Sequence, residues 1–276
     1  MSSPLSSRLS LHTWTLDTTP LREALCAARD GGFNAVELRH ADFKRCYEKG
    51  MSNKDVLSLI RDCRIKVAVM GTEYGVIFAR GEEQERLFAS LDQVCANAAE
   101  LGCPVVMVAP GMNPEGTIEE AAESFRRGGE IAHKHGVKYA LEFNSRHPVI
   151  NRLSVGRKIL ALADHPSCGL LLDAYHMQCA GDGGRSFAEV PPKDIFTVQF
   201  SDVPAGPILK VRQPTDRLPP GKGVVQWKEV FQLLKEKNYQ GYMSYEAPNP
   251  AQWNRPPLEV SREGAEAVRK ILAEIE

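Results

Sequence analysis

The stretch Lys138-Tyr139-Ala140-Leu141-Glu142-Phe143-Asn144 is a short apolar run that ends in a carboxylate. His135-Gly136 precedes it and Arg146-His147-Pro148 follows, so its length and borders read as a buried strand. The pattern returns three times downstream. Leu170-Leu171-Leu172 ends in Asp173, Ile195-Phe196-Thr197-Val198 in Gln199, and Tyr242-Met243-Ser244-Tyr245 in Glu246. Four successive strands each carry an oxygen donor at the carboxyl end, the end that bears the chemistry in a parallel α/β sheet. Four such donors at one mouth suit a hard or borderline divalent cation. Buried carboxylates without a counter-charge are costly, so the ring calls for a cation.

Upstream of this ring, strands are expected over 9–14, 35–38, 66–70 and 104–109. Helical spacing predicts helices over 20–30, 52–61, 82–101 and 117–135, and downstream over 154–163, 227–237 and 260–275. Thr117 with Glu120 three residues on forms a capping-box signature. Strands mostly separated by helices over 276 residues predict a single (β/α)8 TIM barrel spanning 1–276, with 1–7 as a flexible tail. One segment breaks the rhythm. Between Asp202 and Gln226 lies a loop rich in proline and glycine, including Asp216-Arg217-Leu218-Pro219-Pro220-Gly221-Lys222-Gly223, and a loop of that length is usually functional.

Composition narrows the function classes. With 43% apolar and 25% charged residues the chain has ordinary globular proportions. A formal charge of −1 gives no electrostatic footprint for nucleic acid or an anionic membrane. No apolar run approaches the roughly 20 residues of a membrane span. The seven cysteines form no CxxC pair and read as buried free thiols, which points to the cytoplasm.

Around the ring, His176 follows Asp173 by three residues and could enter the same pocket as a proton carrier. Asn144, Arg146 and His147 lie just past Glu142 and could orient substrate hydroxyls. His12 ends the first strand, where a core histidine and a substrate-binding one look alike. Arg217 and Lys222, like Lys210 and Arg212, could bind an anion or be solvated.

Glu142, the Asp173-x-x-His176 unit, Gln199-Phe200-Ser201-Asp202, the Arg217-x-x-Pro220-Gly221-x-Gly223 loop and Glu246 occur in that order. Together they resemble the sugar phosphate isomerase/epimerase group of xylose-isomerase-like barrels, and within it the inosose isomerases. The likeness is specific between His135 and Glu246. It implies one divalent metal held by Glu142, Asp173, Gln199 and Glu246, with the two glutamates as a proton-transfer pair. Barrels of this group often pair as dimers or tetramers. Two departures matter. Most of the group has histidine where this chain has Gln199, whereas its dehydroshikimate dehydratases carry glutamine there. The ketose 3-epimerases have an arginine shortly after that histidine, and here Gly206 and its neighbours occupy the region, which argues against a free-ketose epimerase.

The expectation is therefore a metal-dependent isomerase or epimerase of a small polyhydroxylated ketone, a keto-sugar or inosose, working through a metal-stabilised enediolate. Glu142, Glu246 and His176 would be its catalytic groups. Mn²⁺ is the first choice of ion, with Mg²⁺, Co²⁺ and Zn²⁺ open. The alternative is a lyase or dehydratase, which shares the first step. A reading akin to endonuclease IV lacks its Asp-x-His pair, since Asp216-Arg217-Leu218 stands there. A non-catalytic barrel conflicts with the presence of all four donors.

Overall fold

The computed structural model describes residues 4–111, 113, 115–206 and 215–276. Among them, eight strands pair in chain order, all parallel, and the last closes on the first. They are β1 (Leu9–His12), β2 (Ala35–Leu38), β3 (Lys66–Gly71), β4 (Val105–Val108), β5 (Lys138–Glu142), β6 (Cys168–Asp173), β7 (Ile195–Phe200) and β8 (Met243–Tyr245). The helices of the first half are α1 (Leu21–Asp30), α2 (His40–Glu48), α3 (Asn53–Asp62), α4 (Gly81–Glu100) and α5 (Ile118–Lys134). Those of the second half are α6 (Leu153–Ala163), α7 (Ala174–Ala180), α8 (Trp227–Glu236), α9 (Pro250–Trp253) and α10 (Pro257–Leu272). The chain is a TIM barrel.

Two apolar cores follow from the period of two in each strand. Residues facing outward, such as Val36, Leu141, Leu170, Leu172 and Val198, join the helices in one continuous cluster. Residues facing inward, including Ala35, Val69, Val105, Ala140, Leu171 and Phe196, make a smaller cluster inside the barrel. That floor closes the lumen from below, so whatever sits one step further along each strand stands at the mouth.

The helices begin where local chemistry predicts. Thr117 Oγ1 accepts from Glu120 N, and the Glu120 carboxylate accepts from Thr117 N, so both partners of the capping box are in place at α5. Losing such a cap typically costs about 1 kcal/mol. Gly128 then lets α5 lie against β5, because a Cβ there would collide with the Tyr139 ring.

Three features were not expected. α2 has no strong apolar stripe and is not among the helices the sequence predicts. The β6–β7 crossover is the short helix α7 followed by a 3-10 turn at Pro192–Asp194. Within the stretch read as a tail, Leu5–Ser7 form a 3-10 turn with Leu5 buried, and Ser6 hydrogen-bonds Glu276 near the last helix. All seven cysteines are free, five of them buried. No helix among the described residues is long and apolar enough to cross a membrane.

Candidate active site

Following the inward period of two from the floor gives the mouth. Ala35 leads to Glu37, Ala140 to Glu142, Leu171 to Asp173 and Ser244 to Glu246. In β7 a register shift after Ile195 breaks the alternation, so that Thr197 leads to Gln199 although Phe196 also faces inward. Strand register sets Asp173 beside Gln199, and His12 beside Glu37. Glu37, Glu142, Asp173, Gln199 and Glu246 are all buried, as is His12. A cavity of about 500 Å³ opens above them, its deep wall including His12, Glu142, Gln199 and Glu246.

On the β5–β6 side the carboxylates meet a cation. Arg217, only 2% exposed, lies with Nη1 2.8 Å from Asp173 Oδ2 and 3.1 Å from Glu246 Oε2. These are ion pairs whose alignment falls short of a hydrogen bond. Its guanidinium also covers the face of Tyr175, 4.4 Å from the ring centroid, and Tyr175 Oη donates to Asp216 Oδ1 (2.6 Å). Burial opposes the charge on Arg217, but Asp173, Glu246 and Glu142 outweigh it and hold the proton more tightly.

Arg217 arrives there because Asp202 folds the loop back. The Asp202 carboxylate accepts from Gly221 N, Val225 N and Trp227 Nε1 at 2.8–2.9 Å, and its backbone pairs antiparallel with Leu218. The loop expectation at Gly206 needs correction. An arginine does enter the mouth, from further along the same loop, so the gap at Gly206 does not argue against a ketose epimerase. Lys222 is exposed outside this latch, and Lys210 and Arg212 lie outside the described residues.

His176 Nε2 lies 3.9 Å from Glu142 Oε1 and 3.8 Å from Asp173 Oδ2. Ligand-capable atoms of Glu142, Asp173 and His176 all fall within 4.8 Å of one another, so the imidazole joins the ring it was expected to neighbour. Burial, then Arg217 and Arg146, hold His176 well below the usual histidine range, so the ring is neutral. Ser145 Oγ lies 3.0 Å from Nδ1 and orients it. Burial, and then the charges of Glu246 and Asp173, raise the Glu142 carboxyl well above the usual carboxylate range. Burial also raises Asp173, to about 6, against the pull of Arg217, and it raises Glu246.

On the β1–β2 side, among the described residues, no arginine or lysine pairs with Glu37. Gln199 Nε2 donates to Glu37 Oε1 (2.9 Å), while Gln199 Oε1 is buried with no hydrogen-bond partner among the described residues. An orphaned buried acceptor costs on the order of 1–3 kcal/mol. Burial, reinforced by the charge of Glu246, pushes the Glu37 carboxyl up to about 8. His12 Nδ1 accepts from Trp14 N (3.1 Å), which leaves the ring proton on Nε2, 3.6 Å from Glu246 Oε1 and 3.8 Å from Glu37 Oε1. Burial and the nearby Arg39 keep that ring neutral. Glu37 was missed as a site residue, although the alternation Ala35-x-Glu37 matches Ala140-x-Glu142.

The residues after β5 behave differently from expectation. His147 is committed to backbone: its Nδ1 accepts from Val149 N and Ile150 N, its Nε2 pairs with Asn113 O, and its ring stacks on Phe78. It holds a loop and is not brought to the cavity, which corrects the substrate-binding expectation. Asn144 Oδ1 accepts from Arg146 N, closing its own turn. Arg146 reaches Tyr175 Oη (3.1 Å) and so stands behind the Arg217 cluster.

A closed parallel barrel with a ring of carboxylates at its carboxyl-end mouth is the frame of a barrel enzyme. The chain belongs to the xylose isomerase-like TIM barrel family, which matches residues 25–271. It is 23% identical over 246 residues to an inosose isomerase from Halalkalibacterium halodurans, covering 86% of each chain. It is 26% identical over 247 residues to a 3-dehydroshikimate dehydratase from Pseudomonas putida, covering 87% of this chain and 38% of that one. Among solved structures, the IOLI protein with a bound zinc atom superposes with a TM-score of 0.84 at 22% identity, over 98% of this chain and 99% of that one.

Proposed function

We propose that this chain is a divalent-metal-dependent enzyme that moves a proton at the carbon beside the carbonyl of a small polyhydroxylated ketone, as an isomerase or epimerase. One observation carries the reading: Gln199 Oε1 is buried and unpartnered in the same ring as Glu142, Asp173 and Glu246. The donor set fits a metal. Three carboxylates against the single guanidinium of Arg217 leave two negative charges uncompensated when all are ionised, which is the charge of one divalent ion. Three carboxylates and an amide oxygen favour Mn²⁺, Mg²⁺ or Co²⁺, and the zinc in the IOLI structure keeps Zn²⁺ in view.

Held by Glu142, Asp173, Gln199 and Glu246, the ion would supply Lewis-acid polarisation of the carbonyl. The proton work falls to this chain's own groups. Glu142 and Glu246 hold protons more readily than exposed carboxylates, which lets one take a proton and the other return it near neutral pH. Neutral His176 beside Glu142 is a second proton carrier. Arg217 and the Nε2–H of His12 both face Glu246 and would hold substrate oxygens.

A dehydratase is the second reading. Gln199 supports it, since the dehydratases this chain resembles carry glutamine there, and the 26% identity to a Pseudomonas putida 3-dehydroshikimate dehydratase supports it independently. Turnover of inososes, ketoses and dehydroshikimate in D₂O with Mn²⁺ separates the two. The isomerase reading expects deuterium beside the carbonyl in a product of unchanged formula. An absorbing enone with loss of water establishes the dehydratase.

A further inference from the structure

We infer that Glu37 is the positioning residue for Gln199: it takes the amide N–H of Gln199 and so turns the amide oxygen into the mouth. This rests on the metal-site reading above. An amide has one donor end and one acceptor end, so anchoring one end fixes the other. Gln199 Nε2 gives its hydrogen to Glu37 Oε1 at 2.9 Å, and Gln199 Oε1 is the end left buried and unpartnered. Reversing the amide would give up the bond from Nε2 to Glu37 Oε1 and aim two N–H groups, which bind no cation, at the mouth.

The bond is not a by-product of sheet pairing. β2 and β7 are separated in the barrel by β1 and β8, so the two side chains meet across the lumen. The intervening strands make room with small inward residues, Ser10 on β1 and Ser244 on β8, the latter in register beside Gln199. Glu37 is fully buried, and its Oε1 is taken by the Gln199 amide. It therefore acts through Gln199 and not on substrate. Outer partners of this kind orient a ligand and typically govern about 10–100-fold in metal affinity.

The test compares Glu37→Leu, which removes the acceptor, with Glu37→Gln, which keeps an oxygen of the same reach. In chain labelled with ¹⁵N-glutamine, the Gln199 side-chain NH₂ signals are assigned by their loss in Gln199→Ala. Slow hydrogen exchange of that NH₂ is expected in wild type and Glu37→Gln, and rapid exchange in Glu37→Leu. Mn²⁺ affinity, read by calorimetry, should fall about 10–100-fold in Glu37→Leu and stay within about threefold in Glu37→Gln. In the Gln199→Ala background Glu37→Leu should cause no further loss. Protection that survives Glu37→Leu, an equal loss of affinity with alanine at 199, or failure of Glu37→Gln to keep protection overturns the inference. A wild-type chain that takes up no Mn²⁺ but keeps the protected NH₂ overturns the metal-site reading and leaves the Glu37–Gln199 bond standing.

Discussion

The two sides of the barrel mouth solve the same electrostatic problem in different ways. On the side where Arg217 enters, Asp173 after β6 and Glu246 after β8 share its buried guanidinium. On the β1–β2 side, Glu37 is equally buried, yet its neighbours are the Gln199 amide and a neutral His12. Around Arg217, Asp173 and Glu246 are balanced charge against charge, although burial still raises the neighbouring Glu142 carboxyl well above the usual range. The second side suppresses charge by holding a proton, which is why Glu37 rises to about 8 while Asp173, beside Arg217, reaches about 6. A site that binds a divalent cation can use both, since the ion displaces the need for protons on one side and supplements Arg217 on the other.

This contrast breaks most sharply at Arg217. Arg217→Met leaves two buried carboxylates unpaired, and removing one partner of a buried pair costs about 3–5 kcal/mol. Chemical denaturation of metal-free protein should show that loss. Glu37→Leu, which removes a carboxyl with no cation beside it, should change stability by about 1 kcal/mol or less, as burial relief offsets the lost hydrogen bond. Equal losses in the two variants would erase the distinction between the sides.

pH sharpens the comparison next. Raised carboxyls bind protons more tightly folded than unfolded, so their contribution to stability is present at low pH and is lost as pH rises through the folded value. Metal-free protein should therefore lose stability in two steps as pH rises, steeply between about pH 4 and pH 6, where Asp173 and Glu37 both contribute, and more gently from there to about pH 8, where Asp173 no longer does. At roughly 2–4 °C per kcal/mol, thermal melts resolve both steps. Glu37→Gln should weaken the upper step, to which the raised Glu142 also contributes, and leave Asp173's part of the lower one. Added Mn²⁺ should raise the melting temperature more at pH 8 than at pH 6, because the ion competes with protons for the carboxylates.

How far the sequence carried this picture depends on the kind of signal. The barrel and the donors at 142, 173, 199 and 246 were legible because each ends an apolar run whose period of two is local. Glu37 was equally local, near the end of Ala35-Val36-Glu37-Leu38, but it stands apart from the four consecutive strands that carry the other donors, so chain order does not group it with them. Arg217 could not be placed at all. Its position depends on Asp202 gathering Gly221, Val225 and Trp227, a set of contacts with no periodicity. His147 failed for the opposite reason: proximity to Glu142 in the chain suggested the site, while the backbone of its own loop claimed both ring nitrogens.

The smallest expected effect concerns the residue that joins the two sides. Gln199→His should retain a bound ion and shift preference toward Zn²⁺ or Co²⁺ over Mg²⁺, because imidazole suits borderline ions. Competition calorimetry reads the shift as a change of about tenfold or less. No change in preference would place Gln199 outside the ligand set and detach the β1–β2 side from the metal.

The central claim is that both sides converge on one divalent ion. Chelated, dialysed protein titrated with Mn²⁺ should bind close to one ion per chain. Asp173→Asn and Glu246→Gln should each lower affinity at least tenfold, the order found when a metal site is disturbed even through its outer partners. Undiminished turnover by exhaustively metal-free protein, or Mn²⁺ binding that Asp173→Asn and Glu246→Gln leave unchanged, would contradict it.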